Sequence, residues 1–355
     1  MTVNPDTLRL ARGMRLDLSA VVDEQVRATV KAWAVAWSEL AGAWDAAIAD
    51  LVAASQDGQW PSRGQVLRAE RVLRAMEVSR AKLDELARDA GARVIESLPE
   101  TTAAAAEWEA RLVASQMPAQ AGDQATLAAG FNRVDGTALD AIVQRTTQQV
   151  TALTLPLSTQ ATQAMNAVLI RGVALGDNPR TAARLMVQRV EGAFNGGLTR
   201  ALVISRTEML DAHRQAARAQ DLANLDVVTG WQWLAQMDNR TCPSCLAMSG
   251  TTHAPDESGP DDHQQGRCAR IPLTKTWREM GFNLDEPESV MPDARAWFDE
   301  QPAATRLAIM GRDRLDLLDS GKIGWSDLAQ QRHTQGWRDS WAPTPVRDLR
   351  ARAAA

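Results

Sequence analysis

Between Ala20 and about Ser55 the large apolar residues fall at Val22, Val26, Val30, Trp33, Trp37, Leu40, Trp44, Ile48 and Leu51, in steps of three and four. That spacing is one stripe of an α-helix and excludes the strict alternation of a half-buried strand. At ~1.5 Å per residue such a helix is roughly 50 Å long, a strut or bundle member rather than one helix of a small core. Asp57-Gly58 and Trp60-Pro61-Ser62 interrupt it. A second helix is expected from about Ser62 to Ser97, with Val66, Ala69, Leu73, Met76, Leu83, Ala87, Ala90 and Val94 on one face and Pro99 stopping it.

The helical pattern continues. Thr101 to Gln116 is alanine-rich, Pro118 and Gly122 end it, and further helices are expected around Leu127, from Thr137 to Leu155, and from Ser158 to Leu175 after Pro156. Gly176-Asp177-Asn178-Pro179 reads as a turn and helix start. The next helix is expected to end near Phe194 because Asn195-Gly196-Gly197 breaks the chain, and another follows from Thr199 to about Asn224. After Gly230 the period changes to two, with Trp231 and Trp233 flanking Gln232, and Met237 to Arg240 reads as a turn. Ser249 to Asp262 is a long polar loop, and Arg270-Ile271-Pro272-Leu273 fits an edge strand that tolerates its proline. The fold class is therefore mainly α with a small α+β module: long N-terminal helices, then helices plus a small antiparallel sheet, then a short helical tail.

A long loop needs something to hold it. The chain has three cysteines, Cys242, Cys245 and Cys268, all in one short stretch, too few and too clustered for an extracellular disulfide framework. Cys242-Pro243-Ser244-Cys245 is a C-x2-C knuckle, and His263 and Cys268 follow beyond the loop. Four such ligands suit tetrahedral zinc, and a shell filled by protein leaves no open position to activate water, so a structural zinc is expected rather than a hydrolytic one. His253, Asp261 and Asp262 are substitute ligands, and three buried or redox-active cysteines without a metal are the alternative. Arg206-Thr207-Glu208 lies on a helix among Val203, Ile204 and Leu210, so at least one of its charges is expected to face inward, as a clamp to the Trp231–Cys245 unit with Asp238 and Arg240 as natural partners. No carboxylate pair and no nucleophile with an adjacent base stands at a spacing that marks a catalytic site, so no enzymatic activity is expected.

With 39 Lys and Arg against 44 Asp and Glu, the net charge of −5 argues against the whole chain coating a nucleic acid. A local site remains open at the C-terminal stretch, where Arg347, Arg350 and Arg352 follow Trp337 and Trp341 and could touch DNA phosphates, although Pro343 and Pro345 favour irregular structure there. No run approaches the ~20 apolar residues of a membrane span, and the start has no apolar core of a secretory signal, so synthesis and folding in a cytoplasm are expected.

Taken in order, Arg206-Thr207-Glu208, Trp231-x-Trp233, Asp238-Asn239-Arg240-Thr241-Cys242-Pro243-Ser244-Cys245, Gly250, Pro260, His263, Arg267-Cys268 and Pro272 resemble the MuF-like phage head morphogenesis family of minor head, or minor capsid, proteins. In that family an Arg-Thr-Glu helix precedes a Trp-containing strand, a D-x-R-T-C-x-x-C turn and an H-x-x-C-R-C element. This chain departs from the pattern at Gly266, where the family often has the first cysteine of C-R-C, which leaves four candidate ligands instead of five.

The resemblance spans about Ser158 to Leu284 and divides the chain into a helical arm or bundle (1–156), the MuF-like module (157–285), and a small helical region with a basic tail (286–355). It implies a portal-associated protein of the procapsid interior in a tailed phage, made in the host bacterial cytoplasm and carried in the virion. The implied partners are the portal protein, the major capsid or scaffold proteins and packaged DNA. A zinc-ribbon DNA-binding protein is the alternative. A metal-dependent nuclease, with Asp262-His263 supplying a base, is a weaker one because Gln264-Gln265-Gly266 offers no further acid, base or ligand.

Overall fold

The computed structural model describes residues 3–55, 59–174, 179–334 and 338–354. Asp57-Gly58, Gly176-Asp177-Asn178 and Trp337 lie outside the described residues. Among the described residues seven α-helices come first: α1 (Pro5–Ala53), α2 (Arg63–Val66), α3 (Glu70–Ala114), α4 (Gln124–Phe131), α5 (Gly136–Thr154), α6 (Leu157–Ala174) and α7 (Pro179–Leu222). Then follow β1 (Val228–Leu234), α8 (Pro243–Met248), β2 (Thr252–His253), β3 (Ala269–Thr274), α9 (Ala294–Asp299), α10 (Ala303–Met310), α11 (Arg312–Asp319), β4 (Ala329–Arg332), β5 (Ser340–Pro343) and α12 (Val346–Ala353). The architecture is mainly α with a three-stranded antiparallel sheet in the order β2-β1-β3, as expected, and a separate two-stranded β4-β5 hairpin.

Packing divides the chain into two compact units that interleave in sequence: residues 1–19, 98–144 and 209–355 form one, and residues 20–97 and 145–208 the other. The boundaries at residues 156 and 285 divide the chain by sequence pattern, the two units by packing.

The all-helical unit buries the stripe read from the sequence. Trp33, Trp37, Leu40, Trp44, Ile48 and Leu51 are buried along α1, and Trp37 meets Phe194 with ring centroids 5.4 Å apart. Trp44 Nε1 donates to Ser79 Oγ at 3.0 Å, which satisfies the indole donor inside the core. At the start of the stripe the buried face shifts: Val30 is exposed, while Gln25 and Thr29 are buried. Gln25 can be buried because its amide donates to Arg93 O and Ser97 Oγ and accepts from Ser205 Oγ. On α3 the exposed residue is Leu73 and its neighbour Val72 is inside.

Two expected breaks are absent. Pro99 lies inside α3, with Leu98 and Thr102 buried on either side. Pro99 removes only the one backbone donor that would bond the Ile95 carbonyl, and the alanine-rich continuation carries the helix through, with Thr102 Oγ1 donating to the carbonyls of Leu98 and Pro99 at 3.0 Å one turn on. Asn195-Gly196-Gly197 likewise sits inside the single helix α7. A Cβ at Gly197 would lie 3.1 Å from Leu157 Cδ2 and 3.4 Å from Leu83 Cδ2, so glycine is there for the close approach of neighbouring side chains and not for a turn. Gly197→Leu is therefore expected to cost about 1–3 kcal/mol of stability by overpacking, despite the ~1 kcal/mol that a better helix former gains in an open position. Urea denaturation checks this, and a variant as stable as the parent would contradict the packing.

In the other unit, the β1-β3 pair is covered on one face by the first turns of α1 and the last of α3. Val3, Ala11, Met14, Leu112, Leu234, Ala269, Ile271 and Leu273 form that core. Trp231 and Trp233 point to the opposite face, where they pack with Cys245, Met248, Cys268 and Ala329. Pro272 sits on the edge strand β3, and its carbonyl accepts from Gln116 at 2.7 Å. The tail is not irregular. Ala329–Arg332 pairs with Ser340–Pro343, and α9 to α12 close over Phe298, Met310, Leu328 and Leu349. Pro343 is tolerated because it ends an edge strand.

Candidate metal centre

Strand β1 delivers the chain to a turn in which Asp238 accepts from the Arg240 N–H at 2.9 Å and from the Thr241 hydroxyl at 3.2 Å. The turn places Cys242 at the N-cap of α8, where its Sγ accepts from the Cys245 N–H at 3.4 Å and Pro243 occupies the first turn. From the other side, the segment after the long loop brings His263 Nε2 to 3.1 Å from Cys242 Sγ. The donor atoms of Cys242, Cys245 and His263 lie within 4.8 Å of one another, and those of Cys245, Asp262 and Cys268 do the same. Cys245 is common to both groups. Of the four ligands expected from the sequence, Cys242, Cys245 and His263 meet in one group, and Cys268 joins Cys245 in the other.

His253 and Asp261 are engaged elsewhere. His253 stacks on Trp231 at 4.2 Å and bonds to Glu257 and Thr251, and Asp261 accepts from Ser258 Oγ at 2.6 Å. Asp262 is fully buried and is held by Arg214 of α7 through two bonds of 2.7 and 3.0 Å. Its Oδ2 also accepts from the Cys268 N–H at 3.1 Å. With its oxygens so occupied it is a positioning residue for the loop, and Cys268 is the better donor. The same guanidinium donates to the carbonyls of Gly266 and Cys268, so one arginine fixes the whole 262–268 turn. A Cβ at Gly266 would collide with the Asp262 carboxylate. This explains the departure from C-R-C: with Asp262 in this position only glycine fits at 266.

The donor set fits zinc. Zn–S bonds of ~2.3 Å in a tetrahedron put the ligand atoms roughly 3.8 Å apart, within the spread of each group. His263 Nδ1 lies 2.9 Å from the Gln264 carbonyl oxygen, the contact that fixes a ligating histidine with Nε2 free for the metal. The electrostatics favour the ligating form at Cys242 alone, and a metal would displace protons from Cys245 and His263 on binding. Cys242 is pulled down to about 4, chiefly by its hydrogen bond with Cys245 and then by His263, so it is a thiolate. Cys245 is pushed well above the usual thiol range by its contacts with Cys242 and Cys268 and by burial. His263 rises to about 9 mainly through its bond to Cys242.

A thiolate beside an imidazolium is also the resting form of a cysteine nucleophile, a contact the sequence spacing gave no sign of. Here the base lacks the carboxylate that would orient it, since Nδ1 turns to a backbone carbonyl and Asp262 is committed to Arg214.

Arg206 does not clamp this module through Asp238 or Arg240. It pairs with Asp23 at 3.2 Å, and Thr207 and Glu208 are buried in the helix beside it. Asp238 is held instead by Arg267, with two bonds of 2.6 and 2.7 Å that tie the turn before Cys242 to the residue before Cys268. That partner holds the Asp238 carboxyl down at about 2. A depressed acid contributes stability above its ordinary pKa, near ~3.9 for aspartate, and loses it as pH falls towards the folded value. Stability is therefore expected to drop between about pH 4 and pH 2, and Asp238→Asn to flatten that limb of a pH–melting curve. An unchanged limb would contradict the assignment.

The helix-to-module ties are Arg214–Asp262, Arg218 to the Asp256 carbonyl, and Asp221–Arg270 at 2.6 Å, with Arg270 also 4.7 Å over Trp231. Residues 214, 218 and 221 share one helical face, and that charged stripe is the signal sequence reasoning missed. The tail adds a further tie: Trp341 N–H donates to Asp261 O at 2.7 Å, and Arg338 bonds Asp211 and the Asp262 carbonyl. Arg347, Arg350 and Arg352 are exposed and each faces a carboxylate, of Asp348, Asp313 and Asp327 respectively.

No helix among the described residues is long and apolar enough to cross a membrane. No curated protein and no solved structure matches the chain significantly. Residues 163–271, from α6 through the Cys/His cluster to β3, match the family described as phage Mu protein F like protein, as the ordered motifs of the sequence led us to expect.

Proposed function

We propose that the protein is a non-enzymatic minor capsid protein that acts in phage head morphogenesis, and that Cys242, Cys245, His263 and Cys268 hold a structural zinc. The single observation that carries the reading is the family match over residues 163–271, which ends on the strand that follows the Cys/His cluster. A zinc there would staple α8 to the loop that returns to β3, and so hold a sheet whose own ladder is short. The protein would be incorporated in the virion, inside the head and near the portal, after synthesis in the host cytoplasm. Its partners would be the portal, the major capsid or scaffold proteins and, by contact, packaged DNA.

The internal pairing of Arg347, Arg350 and Arg352 favours this reading over a DNA-binding tail, because a paired guanidinium has less charge to offer a phosphate. Disrupting the gene in its phage and analysing purified heads by mass spectrometry and electron microscopy tests the proposal. The protein is expected in wild-type heads, with few or defective heads in its absence. Heads that never contain it and assemble normally without it would overturn the proposal.

A further inference from the structure

A cavity of about 360 Å³ lies beside the cluster, between the first third of α1, the end of α7 and the strand β3. Five arginines line it: Arg12, Arg15, Arg214, Arg267 and Arg270. Three are matched, by Asp262, Asp238 and Asp221. Arg12 and Arg15 form no ion pair among the described residues. Arg15 is anchored, its Nη2 donating to the Leu234 and Ala235 carbonyls at 2.5 and 3.3 Å, while its Nη1 makes no hydrogen bond with the described residues. The guanidinium is thus fixed at the wall with donors to spare.

The one carboxyl in the wall, Glu109, forms no ion pair with Arg12 or Arg15. Glu109 is fully buried and neither of its oxygens is hydrogen-bonded. Burial first, and the neighbouring charge of Asp221 next, raise it well above the usual carboxylate range. His213 is lowered to about 4 by burial and is neutral. Arg15 is lowered only to about 10 and stays charged. The cavity thus holds two guanidinium groups without an ion-pair partner, Arg12 at its exposed mouth and Arg15 further in, beside Met14, Leu18 and Leu210.

We propose that this cavity binds a phosphate group through Arg12 and Arg15. Guanidinium groups match phosphoryl oxygens in geometry as well as in charge, and the cavity's size lies at the small end of ligand pockets, near ~300 Å³, enough for one nucleotide-sized group and too small for a duplex. The phosphate comes either from a free phosphorylated metabolite or from the end of a nucleic-acid strand.

Calorimetric titration of the full chain with inorganic phosphate, with adenosine monophosphate, and with a short single-stranded oligonucleotide bearing or lacking a 5′-phosphate separates the sources. Saturable binding of phosphate or the mononucleotide supports the free ligand, and binding only of the 5′-phosphorylated strand supports the strand end. No saturable binding of any of them, or equal binding of the strand without its phosphate, overturns the proposal. Arg12→Ala, an exposed residue whose loss leaves the fold intact, is expected to weaken binding about tenfold, the value of one charge-assisted hydrogen bond. Glu109→Gln is expected to leave affinity within about twofold. Unchanged affinity in Arg12→Ala, or a tenfold gain in Glu109→Gln showing that the glutamate was charged, would each contradict the assignment.

Discussion

Asp262→Ala is expected to destabilise the unit that contains the cluster by about 3–5 kcal/mol, the cost of leaving a buried charge without its partner. Arg214 and Asp262 are both almost completely buried and joined by two bonds of 2.7 and 3.0 Å, so the variant strands a guanidinium in the interior. It also removes the acceptor of the Cys268 N–H and frees the turn around Gly266. Removing both charges is expected to cost less than removing one. In a double variant, Arg214→Met with Asp262→Leu, no buried charge remains, so the coupling between the two substitutions is favourable. Chemical denaturation followed by tryptophan fluorescence measures this, since Trp231 and Trp233 pack on the same face of the sheet. A single-variant loss below about 1 kcal/mol would mean that the pair is solvated and does not hold the turn.

Cys245→Ser is expected to be the most damaging change among the four ligands. Its thiol is the one shared by both donor groups, whereas Cys242 and Cys268 each belong to one. Structural zinc in small modules contributes apparent free energies of about 10–16 kcal/mol at neutral pH, as much as the ~5–15 kcal/mol stability of a whole domain, so metal loss shows as local unfolding. Chelation of the wild type is expected to expose amides from Gln236 to Cys268 to hydrogen exchange while those of the buried face around Trp33, Trp44 and Leu83 stay protected. Cys242→Ser and Cys268→Ser are expected to do the same in part. Equal protection of the 236–268 segment with and without chelator would count against a metal staple.

The sequence carried the fold class and most element positions because the signals were local. The α1 stripe, the Trp231-x-Trp233 alternation and the Arg270-to-Leu273 edge strand each depend on spacing within one element. What it did not carry depended on partners far along the chain. Pro99 and Gly196-Gly197 look like breaks until Leu98 and Thr102 are seen buried on either side of the proline and Leu157 and Leu83 crowding Gly197. The tail looked irregular because nothing near Pro343 announces that Asp261, some 80 residues earlier, accepts from Trp341. For the cluster, the residue types and the C-x2-C spacing were legible, but their support was not. Arg214, Asp221, Arg270 and the Asp238–Arg267 pair join residues 29 to 49 apart, and a charged residue on a helix gives no sign of which distant carboxylate it will meet. Arg206 shows the same limit from the other side. The expected clamp exists in kind, about two turns further along α7, at Arg214.

The measurement that bears most directly on the account is the metal content of the purified full-length chain, by elemental mass spectrometry after dialysis against metal-free buffer. The account predicts one zinc per chain, falling to zero in Cys245→Ser and unchanged in Arg12→Ala. A chain that folds without zinc, or a Cys245→Ser variant that keeps it, would contradict the claim that Cys242, Cys245, His263 and Cys268 form a structural metal centre.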